Sequence, residues 1–324
     1  MSHWRGKTVL VTGGSGFLGS HLVRALADEG AIVISVSRNP LALNGSSTMG
    51  GTVQSFQTDL LDSSHIAALC KGTEPPIDVL IHCAALDGNA AFKSRHPAEI
   101  VTNNVRLASN VLEAARLSAI GDAVLVSSAE IYARDAQNPV READDFTTLF
   151  RYPGDGYVLS KVMIEMMGHV YAEQFGLRIY VPRPTNLYGP GDISGAERGR
   201  VIPTMLGKIL SGEVVDIWGD GQQSRTFINV EDAARAIMLM VEKRQVGPLN
   251  IATLEAITIK ALARRLFELA GKPERIRFDA SKPVGPRDRI LDVQSLYEIL
   301  DFELRPLSEG LKETVPWYAA LRDQ

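Results

Sequence analysis

Tyr157 and Lys161 stand four positions apart in the run Tyr157-Val158-Leu159-Ser160-Lys161, which reads as the start of a helix extending to about Gln174. At that spacing a phenol and an ammonium share one helix face, one turn apart. A fixed cation beside a phenol stabilises the phenolate and is expected to draw its pKa from about 10 towards neutrality. Such a phenol can serve as general acid or base for a carbonyl/alcohol pair. Ser127 and Ser128 end a strand-like run upstream, where a hydroxyl helps to hold the reacting oxygen.

A second chemistry is written near the N-terminus. Gly13-Gly14-Ser15-Gly16-Phe17-Leu18-Gly19 lies between a predicted strand, Thr8 to Thr12, and a predicted helix, Phe17 to Glu29. Glycines there permit a tight turn and let the backbone approach a pyrophosphate, which the helix N-terminus stabilises. The next strand, Ala31 to Ser37, ends in Ser37-Arg38-Asn39. A free ribose 2′-hydroxyl is usually held at that place by Asp or Glu, whereas Arg38 offers a planar fork to a 2′-phosphate. NADP(H) is therefore the preferred cofactor and NAD(H) the alternative. Asp59-Leu60 follows a third strand-like run, Thr52 to Gln57, and Asp59 is a candidate acceptor for the adenine amino group.

Further buried-strand patterns at Val79 to Ala84 and Ala123 to Ser127, with a helical stretch from Pro97 to Leu117, continue the alternation. Strand–helix alternation with short connections predicts an α/β fold, a doubly wound parallel sheet. Leu41 to Gly51, rich in Gly, Ser and Asn, reads as a surface loop. Beyond Arg178 prolines and glycines crowd the chain before helices resume at Ile202 to Leu210 and Glu231 to Lys243. The expected organisation is a dinucleotide-binding domain over 1–180, with 225–245 returning to it. A smaller, interleaved substrate lobe occupies 181–324. The 324 residues suffice for both. A net charge of −4 gives no electrostatic footprint for nucleic acid or an anionic membrane. Two cysteines without a CxxC pair argue against a disulfide framework or thiolate metal site, and no metal is expected. The opening lacks a signal-peptide or membrane-span pattern, so a cytoplasmic location is the expectation.

These motifs, with His82-Cys83-Ala84-Ala85, Asn104, Ser128-Ala129-Glu130-Ile131-Tyr132 and Arg183-Pro184-Thr185-Asn186-Leu187-Tyr188-Gly189-Pro190, resemble in order the extended short-chain dehydrogenases/reductases, the NAD-dependent epimerase/dehydratase family. The resemblance covers essentially the whole chain and implies a Rossmann fold. It implies Tyr157 as acid/base, Lys161 as its tuner and ribose ligand, and Ser128 as the catalytic hydroxyl. Gly13, Gly16, Phe17, Leu18, Gly19, Ala84, Ala85, Pro184 and Leu187 would line the cofactor, and Asn104 would be mainly structural.

Within the family the second lobe is most similar to the GDP-fucose synthases, through Val201-Ile202-Pro203, Ile217-Trp218-Gly219, Arg225-Thr226-Phe227 and Lys282 to Arg287. That similarity implies a nucleotide-diphosphate sugar as substrate. Asn186, Arg200, Lys208, Arg225 and Arg287 would face the diphosphate or sugar and Trp218 the nucleotide. Convergent Arg and Lys groups suit a pyrophosphate. In those synthases a Ser-His pair precedes Val-Ile-Pro and a cysteine follows the catalytic serine by two. Here Gly199-Arg200 and Glu130 stand instead, and an arginine does not donate a proton at neutral pH. A 4-ketoreductase acting on a 4-keto-6-deoxy sugar needs neither epimerisation group. An NAD-type epimerase, 4,6-dehydratase or decarboxylase is the alternative, towards which Glu130 leans, although Glu130 also suits a sugar hydroxyl. A non-catalytic, NADP-sensing protein is the remote alternative. Family members commonly pair through the tyrosine helix and the long helix before it. Met163, Met166, Met167 and Val170 would then serve a homodimer.

Overall fold

The computed structural model describes residues 2–41, 50–133, 136–145, 155–192, 199–282 and 287–322. Most of the predicted loop after Leu41, and residues 283–286 of the Lys282–Arg287 stretch, lie outside the described residues.

Seven strands form the central sheet: β1 (Thr8–Thr12), β2 (Ile32–Ser37), β3 (Thr52–Gln57), β4 (Val79–His82), β5 (Asp122–Leu125), β6 (Arg178–Pro184) and, later in the chain, β10 (Gly247–Ile251). Their order is β10-β6-β5-β4-β1-β2-β3, every pair parallel. The interior strands are near-continuous runs of Val, Ile, Leu and Ala because both faces are covered. One face carries α1 (Phe17–Asp28) and α7 (Val230–Glu242), whose Leu22, Leu26, Ile237 and Val241 enter one core with Val9, Val11 and Val124. The other carries α2 (Ser63–Gly72), α4 (Pro97–Leu117) and α5 (Gly156–Phe175), packed on Leu10, Leu80 and Leu125. A short helix, α3 (Ala90–Arg95), precedes α4.

The chain winds from β1 to β3 in one direction and from β4 to β10 in the other. The reversal between β1 and β4 leaves a crevice beyond their carboxyl ends, where ligands of such sheets bind. The glycine loop follows β1 and Ala84-Ala85 follows β4, so both border it.

The remaining elements are β7 (Asn186–Tyr188), α6 (Val201–Leu210), β8 (Val215–Trp218), β9 (Ser224–Asn229), β11 (Ala256–Thr258), α8 (Ile259–Leu269), β12 (Ile276–Asp279), α9 (Gln294–Ile299) and α10 (Leu307–Arg322). They form a three-stranded sheet, β11-β9-β7, and a parallel pair, β12-β8. Leu206, Ile217, Phe227, Leu262, Leu266 and Leu311 build a separate core there. Among the described residues no helix is long and apolar enough to cross a membrane.

Two local features fix the catalytic helix. The Asp155 carboxylate caps α5, accepting from the N–H of Tyr157 at 2.8 Å and of Val158 at 3.4 Å. Gly156 lies so close to α4 that a Cβ would run into the Pro97 carbonyl. Gly156→Ala therefore forces the helices apart. The expected cost is about 1–3 kcal/mol, read as a lower denaturation midpoint, with turnover falling as α5 shifts.

His82, at the end of β4, is 2% exposed and its Nδ1 shares a hydrogen bond with Thr12 Oγ1 at 2.8 Å. Burial first, then the Lys161 charge, lower its pKa from 6.5 to about 3. The unfolded chain thus binds the extra proton between those values. Stability from this group is complete above pH 6.5 and lost as pH falls towards 3, at up to about 1.4 kcal/mol per unit. A His82→Gln chain should show a shallower loss of stability than wild type between pH 6.5 and 4 in denaturant titrations; equal slopes would remove this role.

Candidate active site

The glycine loop is built by crowding. Gly13 adopts φ 71°, the left-handed region, and a Cβ there would lie 2.7 Å from the Ala84 N. A side chain at Gly19 would meet the Gly13 carbonyl. Gly16 caps α1 without a side-chain hydrogen bond, and no acidic residue occupies the first turn. The leading N–H groups of the helix are thus left to an external acceptor, and the positive end of its dipole faces the crevice. These residues fit a dinucleotide pyrophosphate. Leu18 is buried in the core beneath the loop. Phe17 packs edge-on to His21 with ring centroids 5.8 Å apart, under the Arg200 guanidinium at 5.1 Å.

Arg38 follows β2 and is exposed; its carbonyl accepts from Gln57 Nε2 at 2.8 Å. Asp59 turns its carboxylate onto the Leu61 N–H at 3.0 Å, and Leu60 is buried with its carbonyl held by Asn110. Ala84 and Ala85 are partly buried beside the loop. Pro184 is buried, Leu187 half-buried, and exposed Asn186 donates to the Thr226 carbonyl at 2.9 Å. Asn104 is structural in a specific way. Its amide accepts from the Leu86 N–H at 2.6 Å and donates to the Leu86 carbonyl and to Ser160 Oγ, tying the loop after β4 to α5.

Ser128, Tyr157 and Lys161 converge, as their order along the chain implies. Lys161 is 4% exposed and donates to the Val126 carbonyl at 2.6 Å, using one of its three N–H bonds. Its Nζ lies 5.6 Å from the Tyr157 ring centre. Burial pulls the lysine below its ordinary pKa, against Asp87, Cys83 and Glu165, which raise it. The phenol itself departs from the sequence expectation. Burial, then Asp87, push Tyr157 up, and Lys93 and a hydrogen bond with Ser128 only partly oppose them. The ring is enclosed by Leu86, Phe92 and Ile100, so the phenolate loses more hydration than the cations return.

Lys93 is the main residue that sequence reasoning misses. It is 9% exposed, and its Nζ sits 4.0 Å from the Tyr157 ring centre, nearer than Lys161. It is bound by Glu130 at 2.7 Å and Asp87 at 3.3 Å. Although burial disfavours its charge, Glu130 and Asp87 hold it above the usual lysine range. No motif spacing relates Lys93 to Tyr157; α3 brings them together across the crevice. Glu130 thus lies at the centre, beside Ser128, whose Oγ accepts from the Glu130 N–H at 3.1 Å.

On the far side Arg225 is partly buried, and burial, then the charge of Arg289, lower its pKa, with Asp288 and Glu130 opposing. Arg289 reaches the Ala129 carbonyl at 3.4 Å. Arg287 is exposed and engages by its carbonyl, which accepts from the Ser224 N–H at 2.7 Å. Arg200 pairs with Asp192 at 2.7 Å, and Lys208 with Asp216 at 2.7 Å. Trp218 is 40% exposed at the end of β8. Among the described residues no cluster of His, Cys, Asp and Glu could hold a metal.

Residues 9–252 match the model of the NAD dependent epimerase/dehydratase family. The chain is 43% identical over 316 residues to a dTDP-4-dehydro-6-deoxy-D-allose reductase of Streptomyces sp, covering 97% of each chain. It is 26% identical to the GDP-L-fucose synthase of Escherichia coli K12, covering 98% of each. Among solved structures, the UDP-glucose 4-epimerase of Thermotoga maritima with UDP-glucose superposes with a TM-score of 0.84 at 27% identity, over 97% of this chain and 99% of that one. The chain belongs to the NAD-dependent epimerase/dehydratase family.

Proposed function

We infer that this protein reduces the 4-keto group of a dTDP-linked 4-keto-6-deoxy sugar, with NADPH as reductant. The observation that carries the substrate class is the 43% identity, over 97% of both chains, to a reductase named for that class. The site is consistent with it. A reductase needs one proton donor at the carbonyl oxygen, and Ser128, Tyr157 and Lys161 supply a donor, its hydrogen-bonding partner and a nearby cation. A double epimerisation would also need acids and bases flanking the carbonyl. Arg200 is paired with Asp192 and packed over Phe17, and Glu130 is held by Lys93.

The dinucleotide would lie across the crevice with its pyrophosphate at the N-terminus of α1, against Gly13, Gly16 and Gly19, and with Lys161 at the nicotinamide ribose. When bound, the reduced nicotinamide supplies the hydride. Ser128 and Tyr157 orient the carbonyl oxygen, and Tyr157 gives its proton to the alkoxide that develops there. Arg225 and Arg289 would take the substrate diphosphate, with Glu130 on a sugar hydroxyl and Trp218 beside the base. Arg38, exposed at the end of β2, would pair with the 2′-phosphate of NADPH. Met166 and Val170, 51% and 53% exposed on α5, would pack against a second copy.

Incubation with a panel of nucleotide-linked 4-keto-6-deoxy sugars should consume one NADPH per sugar, with the dTDP-linked member preferred. Sugar converted without cofactor loss would replace the reductase by an isomerising enzyme. Tyr157→Phe should lower kcat by about 10²–10⁴-fold while leaving cofactor affinity nearly intact. Arg38→Ala should weaken NADPH binding by about 10-fold or more, as a lost charge-assisted contact does, and leave NADH unchanged. Equal effects on both cofactors would remove Arg38 from that role.

A further inference from the structure

Lys93 is a lysine almost without exposure, yet its surroundings are not those of an ordinary buried ion pair. It faces two carboxylates that are themselves part-exposed: the Asp87 side chain is 36% exposed and that of Glu130 48%. The Lys93 ammonium lies over the face of the Tyr157 ring, 4.0 Å from its centre. The cluster comes from three separate elements: the loop after β4 (Asp87), α3 (Lys93) and the 3-10 turn that follows Ser128 (Glu130). The two carboxylates offset the cost of burying the ammonium, although an apolar residue of similar volume often packs as well as a buried ion pair.

The groups facing the Tyr157 ring are Asp87, Lys93, Glu130 and Ser128, with Lys161 on its own helix. Lys161 in turn faces His82, Cys83 and Glu165. Two carboxylates and one ammonium leave the cluster with one net negative charge beside the phenol. A carboxylate disfavours the phenolate, and a cation within about 4–6 Å favours it.

We propose that Asp87, Lys93 and Glu130 form a charge clamp on Tyr157, in which the carboxylates keep the phenol protonated for donation and Lys93 carries the tyrosinate left behind. Lys93 is a positioning residue in this scheme, acting on the reaction through Tyr157. When the C4 alkoxide forms, the Tyr157 O–H bond breaks, a new O–H bond forms on the sugar, and the negative charge moves to the phenolate beneath Lys93. Solvent reprotonates it before the next cycle. An enzyme that must first oxidise its sugar needs the opposite bias, a phenolate ready to accept. The clamp therefore suits a one-way reductase.

The proposal rests on Tyr157 being the proton donor of the proposed reduction, and the two fail separately. A Tyr157→Phe chain with undiminished turnover sinks the reductase assignment of that tyrosine. The clamp is judged by a titration that needs no turnover: the pH at which Tyr157 ionises, followed by tyrosinate absorbance with oxidised cofactor bound and Tyr157→Phe as the blank. Lys93→Met removes a positive charge, so the phenolate is disfavoured and ionisation moves up by about one pH unit or more. Asp87→Asn removes a negative charge and moves it down by a similar amount. Glu130→Gln, at a well-exposed position, gives the same downward shift; if Lys93→Met does not fold, Lys93→Gln removes the same positive charge and takes its place. The alkaline limb of kcat for reduction should follow in the same order. A merely structural cluster cannot shift the transition in opposite directions according to the sign of the charge removed. Coincident titrations, or shifts of one sign in all variants, would overturn the clamp.

Discussion

A buried guanidinium holds the catalytic end of this molecule together. Arg183, on β6, is 1% exposed and must find its compensation inside the protein. It donates to Glu165 of α5 at 2.6 and 3.1 Å, to Asp145 at 2.9 Å, to the Glu142 carbonyl at 2.9 Å and to the Tyr132 hydroxyl at 2.9 Å. The Tyr132 hydroxyl in turn donates to Asn250 Oδ1 of β10 at 2.6 Å, and Glu165 accepts from Ser127. One charge thereby joins β6, β10, the residue before Ser128 and the helix carrying Tyr157 and Lys161. Removing Arg183 would leave Glu165 and Asp145 without their shared counter-ion in the interior, so the elements are obliged to stay in register.

That rigidity is what lets weak spacing become chemistry. Glu165 follows Lys161 by four positions, so the salt bridge that anchors α5 to the sheet lies one turn below the catalytic lysine. From the other side Asn104 binds both α5 and the loop after β4, which carries Asp87. The crevice and Tyr157 are thus located by hydrogen bonds and ion pairs of residues other than Ser128, Tyr157 and Lys161. The second lobe is tied in differently. Strand β10 completes the sheet beside β6, and α7 shares the core of α1, so the chain crosses between the two layers more than once.

Much of this was legible in the sequence, for reasons tied to local rules. Buried parallel strands announce themselves as apolar runs, and β1, α4 and the start of α1 fall where the pattern puts them, as does the largely exposed edge strand β3. The glycine loop and the Tyr157/Lys161 pair obey short-range spacing, so their placement between β1 and α1 and on one helix is readable without coordinates. Lys93 and Arg289 have no such signal. Each reaches the site through a loop or short helix whose path is set by tertiary packing, and a lysine or arginine on a polar stretch looks like any solvated charge. The direction of the Tyr157 pKa was misread for a related reason. The sequence displays the cation four residues away, whereas the enclosure by Leu86, Phe92 and Ile100 and the two carboxylates come from elsewhere in the chain.

Whether the crevice performs net reduction is decided most directly by where the transferred hydrogen ends up. Cofactor deuterated at the reactive nicotinamide position, incubated with the dTDP-linked 4-keto-6-deoxy sugar, should leave one deuterium at sugar C4 for each cofactor oxidised, with none at C3 or C5. Solvent deuterium entering C3 or C5 while the cofactor stays reduced would contradict a reductase and point to proton transfers next to the carbonyl.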